Sequence, residues 1–238
     1  MRALGRWLGL VALCVVCLQI FFVGRIALMA VVDPQSTAFE RSEAWRIAND
    51  KGSLPWAQTW VPSAQLSTHL KRAVIASEDD GFATHNGVDW DSLEKAWAKN
   101  AKAEQRAEKK SSTKPPKVVG GSTITQQLAK NLFLSGERTL LRKGQEFVLT
   151  MALELLLSKE RILEIYLNSV EWGEGVFGAE AAAQHYYRKP AAKLSAYEAA
   201  RLVVMLPRPK YFEKTPGSAY LSGRASVITG RMADARLP

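Results

Sequence analysis

Cysteine is nearly absent from this 238-residue chain: Cys14 and Cys17 are the only two, and both lie inside an N-terminal apolar run. No disulfide can therefore brace the rest of the protein. The C-x-x-C spacing has neither a βαβ context nor further ligands, so the pair reads as two small apolar side chains. Histidine is scarce as well, and His69, His85 and His185 are not spaced as a metal set. Acidic residues are missing from positions 1–32, which hold Arg2, Arg6 and Arg25. The other positions carry the remaining 29 basic and all 23 acidic residues, a net +6 that suits a surface near anionic lipid or a polyanionic substrate. Helix-turn-helix spacing, zinc fingers and RNA-binding aromatic motifs are also lacking, which argues against nucleic acid as a partner. No convincing strand-like alternation follows Val119, so the chain is expected to be mainly α.

The apolar run is the first feature that is present. Residues 7–31 are long enough to cross a bilayer as a helix if Arg25 reaches the interface, and the arginine-rich flank places the N-terminus in the cytoplasm. A cleaved signal peptide is the alternative, but Leu28-Met29-Ala30 is a poor cleavage site. The chain then divides into an anchor (1–32), a linker with a strand leading onward (33–62), punctuated by Pro34, Pro55 and Pro62, and one domain (63–238). Trp45, Trp56 and Trp60 fit either the membrane interface or the domain surface. Within the domain, 91–117 is a basic, alanine-rich insert, with a helical first half (apolar edge Leu93, Ala96, Trp97) and a mobile second half.

The domain is organised around residues 78–89. Ser63 is the expected cap of a helix on which Leu66, Leu70, Val74 and Glu78 share one side, ending near Gly81. Glu78 thus extends an apolar stripe, and desolvation there would raise its pKa and make it a better proton acceptor. Asp79, Asp80, Phe82, His85 and Gly87 crowd into the same stretch, where His85 is expected to order the loop. A second run, Gly120 to Leu134, pairs two glycines with a capping box, Thr123 and Gln126, and then an apolar helix. Free amides at that helix start would attract an anion such as pyrophosphate, with Gln126, Gln127 and Lys130 adding donors. Farther on, Arg142 and Glu146 fit a surface ion pair as well as they fit a second active-site acid beside Arg138 and Lys143. Helices are expected over 159–168, 179–187, from Ser195 to Leu206, and over 219–235, with a turn at Glu171–Gly175.

These motifs, Glu78-Asp79-x-x-Phe82-x-x-His85-x-Gly87, Gly120-Gly-Ser-Thr-Ile-Thr-Gln-Gln-Leu-Ala-Lys-Asn131, Arg138 with Arg142-Lys143-x-x-Glu146, and Lys159-x-x-Ile162-Leu-Glu-x-Tyr-Leu-Asn168, resemble in order those of the peptidoglycan glycosyltransferases (glycosyltransferase family 51). The likeness covers about residues 60–212, with Asp80 and Tyr186-Tyr187 as small departures. It implies a lysozyme-like, mostly α domain that polymerises lipid II at the outer face of the inner membrane, the domain being periplasmic. It matches monofunctional members: 238 residues leave no room for a transpeptidase domain, and Ser111-x-x-Lys114 lacks the partner motifs of a serine acyl-enzyme.

Carried onto this sequence, the resemblance implies catalytic roles for Glu78 and Glu146. It implies substrate contacts from Asp79, Phe82, His85, Gly121, Ser122, Thr123, Gln126, Gln127, Lys130, Asn131, Arg138, Arg142 and Lys143. Lys130, Arg138 and the amides near Gly121–Thr123 are expected to neutralise a departing diphosphate. The resemblance leaves room for a divalent cation, Mg²⁺ or Mn²⁺, at Glu146, and implies no organic cofactor. Expected partners are lipid II, the growing undecaprenyl-pyrophosphate-linked glycan, the membrane and other wall-building proteins. The rival readings are a lysozyme-like hydrolase or lytic enzyme and a non-catalytic scaffold.

Overall fold

A computed structural model describes residues 2–109, 120–137 and 139–238. Helix α1 (Arg2–Leu28) contains the apolar stretch Ala3–Leu28, of mean hydropathy 2.4. At about 1.5 Å per residue it rises about 39 Å, enough to cross a bilayer core of about 30 Å. Its last turn enters the protein: Ile26 and Met29 are buried, and the Met29 carbonyl accepts from Arg161 Nε at 2.8 Å. Arg25 lies over the Phe133 ring, 5.5 Å from its centroid.

Residues 33–62, expected as a linker, hold a 14-residue helix, α2 (Ala38–Lys51). Thr37 and Glu40 form a full capping box, and Gly52 closes the helix in the left-handed conformation at φ 64°. The strand that follows, β1 (Ala57–Gln58), pairs in parallel with β3 (Val176–Phe177), which pairs antiparallel with β2 (Glu171–Gly173). The stretch expected as a simple turn at 171–175 is therefore one side of a three-stranded sheet, order β1-β3-β2. Strands of two and three residues are too short to show alternation. Trp56 stacks on Phe177 and Trp60 sits under Arg161, so both pack on the domain, whereas Trp45 is exposed.

The helix leading to Glu78 starts later than the spacing suggests. Ser63–Gln65 is a 3₁₀ turn and Leu66 is extended, so α3 (Thr68–Glu78) is capped by Ser67, whose Oγ accepts from His69 N. Pro62 puts Ser63 at the head of the 3₁₀ turn instead. Leu70 and Val74 still face the core ahead of Glu78. Helix α4 (Trp90–Lys109) covers the first half of the basic insert and runs on into the half expected to be mobile, of which 110–117 fall outside the described residues. Then come α5 (Ile124–Phe133), α6 (Leu140–Leu156) and α7 (Lys159–Ser169). After the sheet follow α8 (Ala179–Tyr187), α9 (Ala196–Met205), α10 (Pro209–Glu213) and α11 (Ala219–Arg231), the last stopping short of the expected 235.

One continuous core joins the end of α1 with α3 and with α5 through α11. Helix α3 packs on α9 and α11, and α5 is wrapped by α2, α6 and α7. Helix α1 lies along α6, where Gln19 and Gln145 exchange amide hydrogen bonds of 2.9 and 3.0 Å. The protein is thus a helical domain with one apolar N-terminal helix, and its two motif-bearing helices, α3 and α5, meet at their ends.

Candidate active site

The meeting point of α3 and α5 is tied together by Asp79, which is 6% exposed. Its Oδ2 accepts from Ile124 N, the first amide of α5, at 2.9 Å, and its Oδ1 is 2.8 Å from His85 Nε2. His85 Nδ1 accepts from Gly87 N at 3.1 Å, so the ring proton is on Nε2 and points to Asp79. Thr123 Oγ1 donates to the Gly87 carbonyl at 2.6 Å while accepting from Gln126 N. Gly87 has φ +86°, and a Cβ there would come within 2.8 Å of Met151 Cε and 2.9 Å of Thr150 Cγ2. Loop 79–89 therefore needs glycine both for its backbone and for its closeness to α6.

These ties revise three expectations. Three amides at the start of α5 are already bonded within the protein: Gln126 takes Thr123 N, Asp79 takes Ile124 N and Thr123 takes Gln126 N, which leaves Gly121 and Ser122 as the residues of that run beside the cleft. Gln126 is buried, and its Oε1 accepts from Thr123 N, so its amide caps the helix rather than facing substrate. Phe82, expected at the substrate, is fully buried in the core under the Lys159 ammonium, 4.6 Å from the ring centroid. An aromatic within a loop motif looks exposed until the loop is folded back onto α7.

Glu78 is left half-buried at the end of α3. Gln127 Nε2 donates to its Oε2 at 3.2 Å, and Ser77 Oγ to its Oε1 at 3.4 Å. Burial pushes its carboxyl above the ordinary range; the Gln127 and Ser77 hydrogen bonds pull it back, Asp79 adds to the rise, and Arg224 opposes it weakly. Glu78 opens onto a cleft of about 330 Å³ that Asp79, Asp80, Asp89, Lys99, Ser122 and Arg231 help to line. Gly121 also lines it, seated against Leu93 and Ala96 of α4.

Lys130 does not line that cleft. With Phe39, Asn131 and Arg142 it lines a second cavity of about 190 Å³. Lys130 and Asn131 stand one turn beyond Gln127 on α5, about 4.5–6 Å along the axis, so one helix face connects the two sites. Phe39 belongs to α2, which spacing had left as linker. Arg138 lies outside the described residues.

Glu146 is buried and held by its own helix: Arg142 Nη1 is 2.9 Å from Oε2, and Lys143 Nζ pairs with Oε1. Among the described residues no group of three His, Cys, Asp or Glu is placed for a metal ion. A divalent cation at Glu146 would find one carboxylate already paired with two cations, which fits the oxygen-rich shell of Mg²⁺ or Mn²⁺ poorly.

Tyr166 lies on the apolar face of α7. It is 1% exposed, yet its hydroxyl donates to Gln127 Oε1 at 3.0 Å. Arg224 and Arg231, from α11, reach the Glu78 region only through the tertiary fold. No local spacing reveals any of the three.

Residues 53–233 match the family model described as "Transglycosylase". The chain is 54% identical over 241 residues to the "Biosynthetic peptidoglycan transglycosylase" of Burkholderia thailandensis, spanning 100% of this chain and 90% of the relative. It is 55% identical over 234 residues to the Burkholderia lata protein of the same description, spanning 98% of this chain and 88% of that one. A third such protein, from Paraburkholderia phytofirmans, is 52% identical over 237 residues, spanning 98% and 94%.

Proposed function

The chain belongs to the transglycosylase family, and from that membership we propose that it is a peptidoglycan glycosyltransferase polymerising lipid II into β-1,4 glycan strands. The acceptor is lipid II and the donor a glycan carried on undecaprenyl pyrophosphate. Glu78 takes the proton of the acceptor GlcNAc 4-hydroxyl as that oxygen bonds to C1 of the donor MurNAc. The bond from C1 to the diphosphate oxygen breaks, its electron pair leaves with undecaprenyl pyrophosphate, and the α-linked donor becomes a β-linked product in one displacement. The observation that carries the reading is a desolvated carboxylate, Glu78, bonded to Gln127 of α5, one turn before Lys130 and Asn131, which with Arg142 line the second cavity. That spacing supports acceptor activation in the first cleft and leaving-group neutralisation in the second. Arg138 is assigned to the departing diphosphate by its place in the motif alone, and Glu146 is assigned to holding Arg142 and Lys143.

Membrane attachment is part of the same proposal. Helix α1 is long and apolar enough to span, with its arginine flank on the cytoplasmic side. Leu140 and Leu141 at the start of α6 are 92% and 89% exposed, on the helix that α1 packs against, which suits contact with lipid.

Polymerisation of labelled lipid II by full-length protein in detergent, read on gels, tests the proposal. Glu78→Gln is expected to abolish polymer while lipid II binding and folding persist. Polymer above a few per cent of the wild-type yield would remove Glu78 from its role. Release of fragments from purified sacculi, with none made from lipid II, would replace synthesis by hydrolysis.

A further inference from the structure

We infer that Tyr166, acting through Gln127, is a positioning residue that keeps the Glu78 carboxylate ionised and aimed into its cleft. The inference rests on the reading of Glu78 as the base.

The geometry is a three-member chain running from core to cleft. Tyr166 of α7 is buried, and its hydroxyl has Gln127 Oε1 as its acceptor at 3.0 Å; the same amide gives its Nε2 to Glu78 Oε2 at 3.2 Å. An amide has two unlike ends. If Gln127 turned over, its carbonyl would face the carboxylate and the buried phenol would lose its acceptor. Only the orientation with N–H toward Glu78 satisfies all three groups while Glu78 is charged. The phenol reliably donates, because burial, with the Glu78 and Asp79 carboxylates adding to it, holds it well above its ordinary pKa.

Other groups act on Glu78 from every side and are unchanged by this chain. Asp79 follows it directly, Asp80, Asp89 and Lys99 line its cleft, and Arg224 and Arg231 come from α11. Arg231 is engaged by Asp80 at 3.3 Å. Gln127 and Ser77 are the neutral donors to Glu78, and the orientation of Gln127 is what Tyr166 controls.

The test is the pH profile of lipid II polymerisation by full-length protein, for wild type, Tyr166→Phe, Gln127→Met and the double variant. Each single variant is expected to move the acid limb of kcat up by about one pH unit; for Tyr166→Phe, whose side chain is buried away from the cleft, KM is expected to stay unchanged and most of the rate to be recovered at alkaline pH. The double variant is expected to move it no further than either single one. Replacing Tyr166 with difluorotyrosine, a stronger donor of nearly the same bulk, is expected to move the limb down; it carries the test if Tyr166→Phe does not fold. An unmoved limb in Tyr166→Phe or the fluorinated protein, or additive shifts in the double variant, would overturn the positioning role. Because Glu78→Gln is run alongside, the two ideas separate: a dead Glu78→Gln with an unmoved Tyr166→Phe limb sinks only the chain, whereas an active Glu78→Gln sinks the base.

Discussion

Asp79→Asn is the sharpest probe of how the site is built. The substitution keeps the shape of the side chain and removes its charge. Asp79 accepts from His85 Nε2 at 2.8 Å and from Ile124 N at 2.9 Å, and both donors are fixed: His85 by the Gly87 amide on its other nitrogen, Ile124 by the start of α5. An asparagine can accept from one of them and must turn its NH₂ toward the other, donor against donor. Hydrogen bonds to a charged acceptor contribute about 1.5–3 kcal/mol each, so losing one and weakening the other should cost about 2–4 kcal/mol. Asp79 is 6% exposed, so solvent screening offers little relief. For a domain of this size that is a fall in Tm of about 5–15 °C. Thermal unfolding of full-length protein in detergent, followed by tryptophan fluorescence, measures it. His85→Ala should destabilise the wild type more than it destabilises Asp79→Asn, since the two changes break one bond. A wild-type Tm with a raised KM for lipid II would refute the reasoning: Asp79 would then be a substrate ligand and not the tie between α3 and α5.

Two further changes probe other features. Gly87→Ala places a methyl group 2.8 Å from Met151 Cε at φ +86°; strain of about 1–2 kcal/mol plus repacking of about 1–3 kcal/mol should lower Tm by several degrees and weaken the Thr123 bond to the Gly87 carbonyl, whereas an unchanged Tm would show that α6 simply moves aside. Glu171, buried in β2, is pushed up to about 7, first by burial, with the Glu43 carboxylate adding to the rise and Lys210, 3.2 Å away, opposing it. The folded protein then holds this proton more tightly than the unfolded chain does. The stability it contributes is present below the ordinary glutamate range and is lost as pH rises through about 7. Glu171→Gln should therefore gain up to about 3 kcal/mol over wild type at pH 8 and nothing at pH 4, read from Tm against pH; a gain that does not vary with pH would reject the assignment.

Local spacing revealed features that local chemistry determines. Thr123 and Gln126, three apart ahead of an apolar run, do form a capping box, and Ser195 caps α9 with Glu198 in the same way. Thr37 and Glu40 have the same spacing, yet three prolines nearby drew 33–62 toward a linker, and the capping box outweighed them. The sheet was invisible because a two-residue strand such as Val176–Phe177 is made by its partners, one of them 119 positions away in register, Ala57 with Val176. Glu78 was legible as the end of an apolar stripe. Its partners were not: Gln127 is 49 positions away and reads as a generic donor, while Tyr166, 39 positions beyond Gln127, looks like any buried aromatic. Lys130 fails to line the Glu78 cleft for a similar reason, because nothing in the order of residues says which cleft a lysine on α5 will face.

That failure explains the layout. A base for this reaction must be anionic at neutral pH yet still hold a proton, so its pKa must be raised without being cancelled by a close cation. A lysine in ion-pair contact with Glu78 would have pulled its carboxyl down and weakened it as an acceptor. Here the neighbours that pull Glu78 down most are neutral, Gln127 and Ser77, and the cation it feels, Arg224, is the weakest of the influences on it. The groups suited to a diphosphate, Lys130, Asn131 and Arg142, sit at the second cavity, a turn farther along the same helix. On the proposed roles, one turn of α5 would separate the place where a proton is removed from the place where negative charge collects, with Gln127 on the Glu78 side as a neutral donor. A side chain of that type can support a charged carboxylate without neutralising it, which neither a lysine nor an apolar residue at that position could do.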